Sequence, residues 1–160
     1  MAIALEINQP APTFSSPNAE GKTISSADFL GQWLVLYFYP KDNTSGCTTE
    51  AIDFSEKLPE FTALDAVIVG VSPDSEKSHG KFIDKYNLTI QLLSDPDHQL
   101  AAAYGAWGPK KFMGKEYEGI LRSTFLINPQ GHIAHIWSNV RVKGHAEKVL
   151  EKLQQLNSAD

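Results

Sequence analysis

The stretch that decides the fold covers residues 33–50 and reads WLVLYFYPKDNTSGCTTE. Its first seven residues, from Trp33 to Tyr39, are all apolar or aromatic, which predicts a strand buried on both faces of a covered sheet. Pro40 ends that strand because proline cannot donate to a sheet ladder. A short loop follows, and from Thr48 the pattern is helical. Cys47 is therefore expected where a buried strand passes through a loop into the start of a helix.

The rest of the chain alternates strand and helix patterns. Apolar runs predict buried strands over residues 66–71 and 124–127, the second in a hairpin with residues 132–137. Helix-start residues or apolar stripes predict helices after residue 72, around residues 100–104 and from about residue 146 to the end. Pro59 is expected to interrupt the helix that follows Cys47.

This alternation predicts an α/β fold with a mixed central sheet covered by helices on both faces. Residues 13–24 are predicted to add an N-terminal β-hairpin. The chain has 160 residues and no linker, repeat or low-complexity tract, so we expect residues 1–160 to form one domain. In such folds ligands bind near the carboxyl ends of strands, which is where Cys47 is expected.

Composition and charge exclude several classes of function. The formal charge of −5, with scattered Lys and Arg, provides no basic face for a nucleic acid. No apolar run reaches the roughly 20 residues of a membrane span, so we expect no membrane partner. With a single cysteine the chain has no internal disulfide, which favours a reducing compartment, and we expect the cytoplasm.

The position of Cys47 predicts a reactive thiolate, because the N–H groups and dipole of a helix start favour the charged sulfur. Acidity alone accounts for little: lowering a thiol pKa from ~8.5 to roughly 6 raises the thiolate fraction about thirty-fold. The accompanying loss of nucleophilicity is roughly ten-fold, by a Brønsted slope near ~0.45. A reactive site therefore also needs donors aimed at the atoms where charge develops as the substrate bond breaks.

Two side chains are our candidates for those donors. Thr44 lies three residues before Cys47 and can offer its hydroxyl from the same loop, while Arg122 starts the strand over residues 124–127 and can supply a fixed cation. Pro40 is expected to make the loop rigid and to shield the sulfur. Glu50 is either an ordinary first-turn carboxylate or a group that orients Arg122.

The pattern Pro40-x-x-x-Thr44-x-x-Cys47 resembles the signature of the peroxiredoxins, in which these positions and an arginine from a distant strand form the active site. More local strings resemble the bacterioferritin comigratory protein, or peroxiredoxin Q, subfamily: YPKD at 39–42, GCT at 46–48, YGAWG at 104–108 and GILRSTFLI at 119–127. The similarity covers nearly the whole chain, in order.

This resemblance implies a thioredoxin-like fold and a catalytic set of Cys47, Thr44, Arg122 and Pro40. It implies reduction of hydrogen peroxide and organic hydroperoxides through a Cys47 sulfenic acid, with no metal or organic cofactor. Within this subfamily we expect a monomer.

The chain departs from many subfamily members at the resolving cysteine. That residue lies five positions after the peroxidatic cysteine or in the helix around residue 83, and isoleucine stands at both Ile52 and Ile83 here. The sulfenic acid must therefore meet an external thiol, and the sequence does not choose among thioredoxin, glutaredoxin with glutathione and another small thiol. Without a resolving thiol, overoxidation to sulfinic acid is a risk.

Other readings remain open at this point. A thiol–disulfide oxidoreductase of the C-x-x-C type is disfavoured because Glu50 stands where the second cysteine belongs. A redox sensor or chaperone-like module, which uses Cys47 oxidation as a signal, is the alternative function. Residues 107–113 suggest an exposed loop that lines a peroxide entrance, meets a partner or packs on the domain. We assign the five histidines to the surface: His79, His98, His132, His135 and His145.

Overall fold

Residues 5–158, the part of the chain that the computed structural model describes, form nine strands and four α-helices. The strands are β1 (Ser15–Pro17), β2 (Thr23–Ser25), β3 (Trp33–Phe38), β4 (Ala66–Ser72), β5 (Gln91–Ser94), β6 (Trp107–Phe112), β7 (Lys115–Ile120), β8 (Ser123–Ile127) and β9 (Ile133–Trp137). The helices are α1 (Ser45–Ala63), α2 (Glu76–Tyr86), α3 (Gln99–Ala103) and α4 (His145–Ser158).

The central sheet has five strands in the order β5-β4-β3-β8-β9. Strand β3 runs parallel to β4, and β4 runs parallel to β5, whereas β8 is antiparallel to both β3 and β9. The predicted mixed sheet is therefore confirmed. Its register places the end of β3 beside the start of β8, with Phe38 opposite Ser123. This pairing brings the residues just before β8 to the loop that follows β3.

Helices cover both faces of this sheet, as predicted. Successive side chains of β3 point to opposite faces, so one strand contributes to two hydrophobic cores. One core joins it to α1, α2 and α4 and includes Trp33, Val35, Tyr37, Phe54, Phe82 and Val149. The other joins it to α3 and the segment around the N-terminal hairpin β1–β2 and includes Leu34, Leu36, Phe38, Phe14, Ile24, Leu100 and Tyr104.

Helix α1 continues past Pro59, so the expectation that this proline ends the helix was wrong. Proline has no N–H to donate to the carbonyl four residues earlier, which is that of Ser55. That carbonyl instead accepts a hydrogen bond from the Thr89 hydroxyl at 3.2 Å. A neighbouring segment thus satisfies the group that the proline leaves free, and the helix extends through it.

The structure contains strands that the sequence patterns do not predict. Strand β5 is a four-residue edge strand, too short for a clear period. Strands β6 and β7 form a separate two-stranded hairpin where an exposed loop was expected. Its turn is Met113-Gly114, with both residues at positive φ and Met113 88% exposed. Methionine is an unusual residue for such a turn, so the usual Asn-Gly signal is absent.

No helix within residues 5–158 is both long and apolar enough to cross a lipid bilayer.

Candidate active site

Cys47 is the third residue of α1, and its side chain is only 1% exposed. The helix begins at Ser45, three residues earlier than the pattern from Thr48 suggests, so Cys47 lies inside the first turn. There the sulfur is close to the positive end of the helix dipole and to N–H groups that lack helical partners. The local sequence thus produces the expected thiolate-stabilising position.

Arg122 reaches this sulfur from the sheet. Its Nη2 donates to Cys47 Sγ at 3.1 Å, and its Nη1 donates to Glu50 Oε1 at 2.7 Å. Arg122 immediately precedes β8, and the antiparallel pairing of β8 with β3 places it beside the loop before α1. One guanidinium therefore joins two residues on one turn of α1. A planar fork of donors is required for two such bonds.

Glu50 is buried beneath this arginine, with 1% of its surface exposed. Burial raises the pKa of its carboxyl to about 7, although the attraction of Arg122 acts in the opposite direction. Burial acts to lower the pKa of Arg122, but the charges of Glu50 and Cys47 and its hydrogen bonds to both raise it overall. Of the two roles open for Glu50, the contact favours the one in which it orients Arg122.

Thr44 and Pro40 lie in the loop between β3 and α1. Thr44 is the exposed N-terminal cap residue of α1 in extended backbone conformation, and its hydroxyl donates to the Lys41 carbonyl at 2.8 Å. The hydroxyl proton is thus engaged within the loop, which leaves the oxygen lone pairs for a ligand. Pro40 is half-buried, two residues after β3 ends. Neither residue makes the kind of direct bond to sulfur that Arg122 makes.

Lys110 is a residue near the site that sequence reasoning missed. It lies half-buried on β6, and a Cβ on Gly119 of β7 would stand 3.2 Å from its Cδ, so its aliphatic chain covers that glycine. Burial and the charge of Arg122 lower the pKa of Lys110, while Cys47 acts in the opposite direction. The sequence offered this stretch as one possible lining of a peroxide entrance, but nothing in it distinguished Lys110 from the solvated Lys111.

Two of the five histidines are buried, so their assignment to the surface was wrong. The His145 Nε2 lies 2.8 Å from the Thr124 hydroxyl, and its ring packs edge-on against Phe54 and Trp137. Burial, helped by the charges of Lys148 and Arg122, lowers the pKa of His145 to about 4. His79 is completely buried beside Asp42. Each ring is hydrogen-bonded to a polar side chain, and the spacing of apolar residues in the sequence does not predict such a partner.

One group in the described part of the chain has the composition of a metal site. Side-chain atoms of Asp42, Asp74 and His79 lie within 4.8 Å of one another. These atoms are already hydrogen-bonded, because Asp42 Oδ2 lies 2.7 Å from the His79 ring and Asp74 Oδ2 accepts from Ser72 and from the Asp42 backbone. A cation would have to displace these bonds, so we interpret the group as a hydrogen-bonded cluster.

Comparison with known proteins gives consistent results. The AhpC/TSA family matches residues 7–136 of this chain. Peroxiredoxin Bcp of Bacillus subtilis is 48% identical over 155 residues, which cover 97% of this chain and 99% of that protein. A putative peroxiredoxin bcp of Helicobacter pylori strain J99 is 52% identical over 149 residues, covering 93% of this chain and 98% of that protein.

Solved structures share the fold. Peroxiredoxin Q of Xanthomonas campestris superposes with a TM-score of 0.88 at 43% identity, covering 97% of this chain and 98% of that chain. A mutant of Xylella fastidiosa PrxQ gives a TM-score of 0.91 at 39% identity, covering 96% and 98%. The predicted thioredoxin-like peroxiredoxin fold is thereby confirmed. By family match, sequence identity and structure, this chain belongs to the AhpC/TSA family and is a peroxiredoxin of the Bcp and peroxiredoxin Q group.

Proposed function

We propose that this protein is a one-cysteine thiol peroxidase that reduces hydrogen peroxide and organic hydroperoxides at Cys47. The observation that carries the proposal is the 3.1 Å hydrogen bond from Arg122 Nη2 to the buried Cys47 Sγ. A cation bonded to a sulfur at a helix start stabilises the thiolate, which is the reactive form. The Xanthomonas campestris bacterioferritin comigratory protein, 42% identical, has been studied for alkyl peroxide reduction, which supports organic hydroperoxides as substrates.

In the first step, the Cys47 thiolate attacks the terminal oxygen of ROOH. A sulfur–oxygen bond forms while the O–O bond breaks, so the sulfur is oxidised by two electrons and RO⁻ leaves. The alkoxide takes a proton from solvent to become ROH. Arg122 serves this step because its guanidinium is held in place by Glu50 and faces the charge that develops on the oxygens.

Thr44 and Pro40 complete the proposed catalytic set. Because the Thr44 hydroxyl donates to Lys41, its oxygen accepts a hydrogen bond from the peroxide O–H and so orients the attacked oxygen toward sulfur. Pro40 restricts the loop and limits access of water to the sulfur. In the resting geometry Thr44 is therefore an acceptor for substrate, whereas the sequence suggested a donor.

In the second step, an external thiol condenses with the sulfenic acid to form a mixed disulfide and water, and another thiol then releases Cys47. Ile52 and Ile83 occupy the two positions where a resolving cysteine is expected, and both pack against the hydrophobic core. The reductant is thioredoxin or glutaredoxin with glutathione. The protein acts as a monomer. Its location is the cytoplasm, a reducing compartment in which a single oxidised cysteine can return to the thiol.

Stopped-flow fluorescence with sub-stoichiometric hydrogen peroxide tests this proposal, with Cys47→Ser as the control. We expect rapid oxidation of Cys47 and, in a second mixture with excess peroxide and one of the two reducing systems, consumption of many equivalents of peroxide per protein. One round of oxidation without turnover would support the sensor alternative. A thiol that reacts no faster than free cysteine would refute the peroxidase.

Intact mass measures the expected overoxidation in a separate sample treated with excess peroxide. Repeated peroxide without thiol should add two oxygen atoms to Cys47 and inactivate the protein. Full activity after such treatment would contradict the expectation that the Cys47 sulfenic acid is overoxidised when no thiol is present.

A further inference from the structure

A buried polar cluster ties the loop before Cys47 to helix α2. Asp42 is the centre of this cluster, with its side chain only 3% exposed. Its Oδ2 lies 2.7 Å from His79 Nδ1 and accepts from the Ser78 hydroxyl at 2.7 Å, while its Oδ1 accepts from the Tyr39 hydroxyl at 2.6 Å. The other ring nitrogen, His79 Nε2, lies 2.9 Å from the Leu93 carbonyl oxygen.

The partners of His79 define how many protons the cluster holds. A carbonyl oxygen only accepts, so the nitrogen facing Leu93 must carry a proton. The 2.7 Å contact on the other side joins a ring nitrogen to a carboxyl oxygen and also requires a proton between them. The pair therefore holds one proton more than a neutral imidazole beside a carboxylate.

The remaining bonds decide which residue carries that proton. Burial raises the pKa of Tyr39 well above its ordinary value, so its hydroxyl keeps its proton and donates to Asp42. Ser78 donates as well, so both oxygens of Asp42 already accept hydrogen bonds. A carboxyl that accepts at both oxygens is stabilised as the anion. The proton belongs on His79, whose charged surroundings also include Asp74 of the same cluster.

We propose that His79 is a buried imidazolium which, through Asp42, holds the Cys47 loop against α2 and acts as a positioning residue for the peroxidase reaction. The positioning role rests on the proposed function, whereas the charge state does not. Asp42 is also held through its backbone N–H, which donates to Asp74 at 2.7 Å. One residue further on, Asn43 Oδ1 accepts from the Tyr86 hydroxyl at 2.8 Å, so the loop contacts both ends of α2.

These ties matter because the loop carries Thr44 and leads directly into the first turn of α1. Asn43 adopts a positive φ of 61°, a left-handed turn conformation that asparagine tolerates better than most residues with a side chain. A charge-assisted bond between buried groups is stronger than a neutral one. The imidazolium thus holds the loop, and with it Thr44 and the start of α1, more firmly than a neutral ring would.

Nitrogen-15 NMR of the histidine rings tests the charge state in the wild-type protein. At neutral pH we expect both His79 nitrogens to give the signals of protonated ring nitrogens. Asp42→Asn should restore the pattern of one protonated and one unprotonated nitrogen, because the amide supplies no negative charge. An unprotonated nitrogen in wild-type His79 would overturn the proposal, and this measurement requires no variant to fold.

Two conservative variants test the positioning role. His79→Asn keeps a donor where Nδ1 faces Asp42, and His79→Gln keeps one where Nε2 faces the Leu93 carbonyl. Both variants remove the charge and should slow Cys47 oxidation, but His79→Gln, which also removes the donor to Asp42, should slow it roughly ten- to hundred-fold and several-fold more than His79→Asn. His132→Asn, at an exposed histidine, is the matched control and should react like wild type.

Hydrogen exchange and urea unfolding separate positioning from general stability. His79→Gln should speed exchange at the backbone amides of residues 43–47 more than at those of β3, and His132→Asn should change neither. Equal losses of rate in both His79 variants, in proportion to lost stability, would refute the positioning role. If wild-type Cys47 itself reacts slowly, the proposed function fails while the NMR and exchange results still decide this inference.

Discussion

Replacing Glu50 by glutamine tests the electrostatics of the site through the pH dependence of stability. Glu50 is almost fully buried, and its carboxyl pKa is raised from 4.5 to about 7, chiefly by burial. The native state therefore binds this proton more tightly than the unfolded chain does. The resulting stabilisation is complete below pH 4.5 and is lost as the pH rises through about 7. Glutamine keeps an oxygen for Arg122 but cannot titrate.

The size of the effect follows from these two pKa values. Over the full range, the shift corresponds to about 3.4 kcal/mol of unfolding free energy, and between pH 5 and pH 8 the wild type loses about 2.5 kcal/mol of it. Glu50→Gln lacks this loss, so the stability of the variant relative to the parent should rise by about 2.5 kcal/mol over that range. In a chain of this size, that is roughly 5–10 °C in Tm.

Urea unfolding at pH 5 and pH 8 measures this change. Both proteins should carry Cys47→Ser, so that titration of the thiol does not contribute. Glu56→Gln, at an exposed position of the same helix, is the control and should show no comparable change. The difference in unfolding free energy between Glu50→Gln and its parent could instead stay constant within about 0.5 kcal/mol from pH 5 to pH 8. That result would refute the conclusion that a buried carboxyl titrates near neutrality beneath Arg122.

Three further predictions concern the residues around the sulfur. Arg122→Met removes the donor 3.1 Å from Cys47 Sγ and should slow oxidation of the thiol roughly 10²- to 10³-fold in stopped-flow measurements; Arg122→Lys, without a fork of donors, should recover little of this rate. Because burial lowers the pKa of His145 to about 4, its stabilising contribution should be complete above pH 6.5 and lost as the pH falls through about 4, and NMR should show a neutral ring down to about pH 5; titration near 6.5 would contradict this. Gly70→Ala places a Cβ 2.8 Å from Tyr37 Cζ, whose ring packs against Tyr39 and Phe54, and should reduce the unfolding free energy measured in urea by about 1–3 kcal/mol; an unchanged value would contradict this.

Several elements could be predicted from the sequence because their cause is local. The apolar run of β3, the turn of residues 128–131 between β8 and β9, and the apolar stripe of α4 each express a period that short-range geometry imposes. The position of Cys47 at a helix start belongs to the same class. The lengths of elements were less predictable, since the extension of α1 through Pro59 depends on a hydroxyl donated by Thr89, far along the chain.

Buried polar residues were the main failure of sequence reasoning. His79 and His145 were assigned to the surface because histidine is polar, but each ring is buried against a specific partner. The cost of burying a polar group depends on whether a hydrogen-bond partner exists, and that partner is distant in sequence. For the same reason, composition alone could not place Lys110 near the thiol.

The sequence by itself determined the α/β class and the place of the single cysteine at the start of a helix, and it motivates the proposal of an external reductant. Only the tertiary structure decided what surrounds that cysteine. The bond from Arg122 to Cys47 joins residues 75 positions apart, and the contact of His79 with Asp42 spans 37 positions. Periodicity and turn chemistry act over a few residues, whereas such contacts depend on how β8 and α2 pack beside β3.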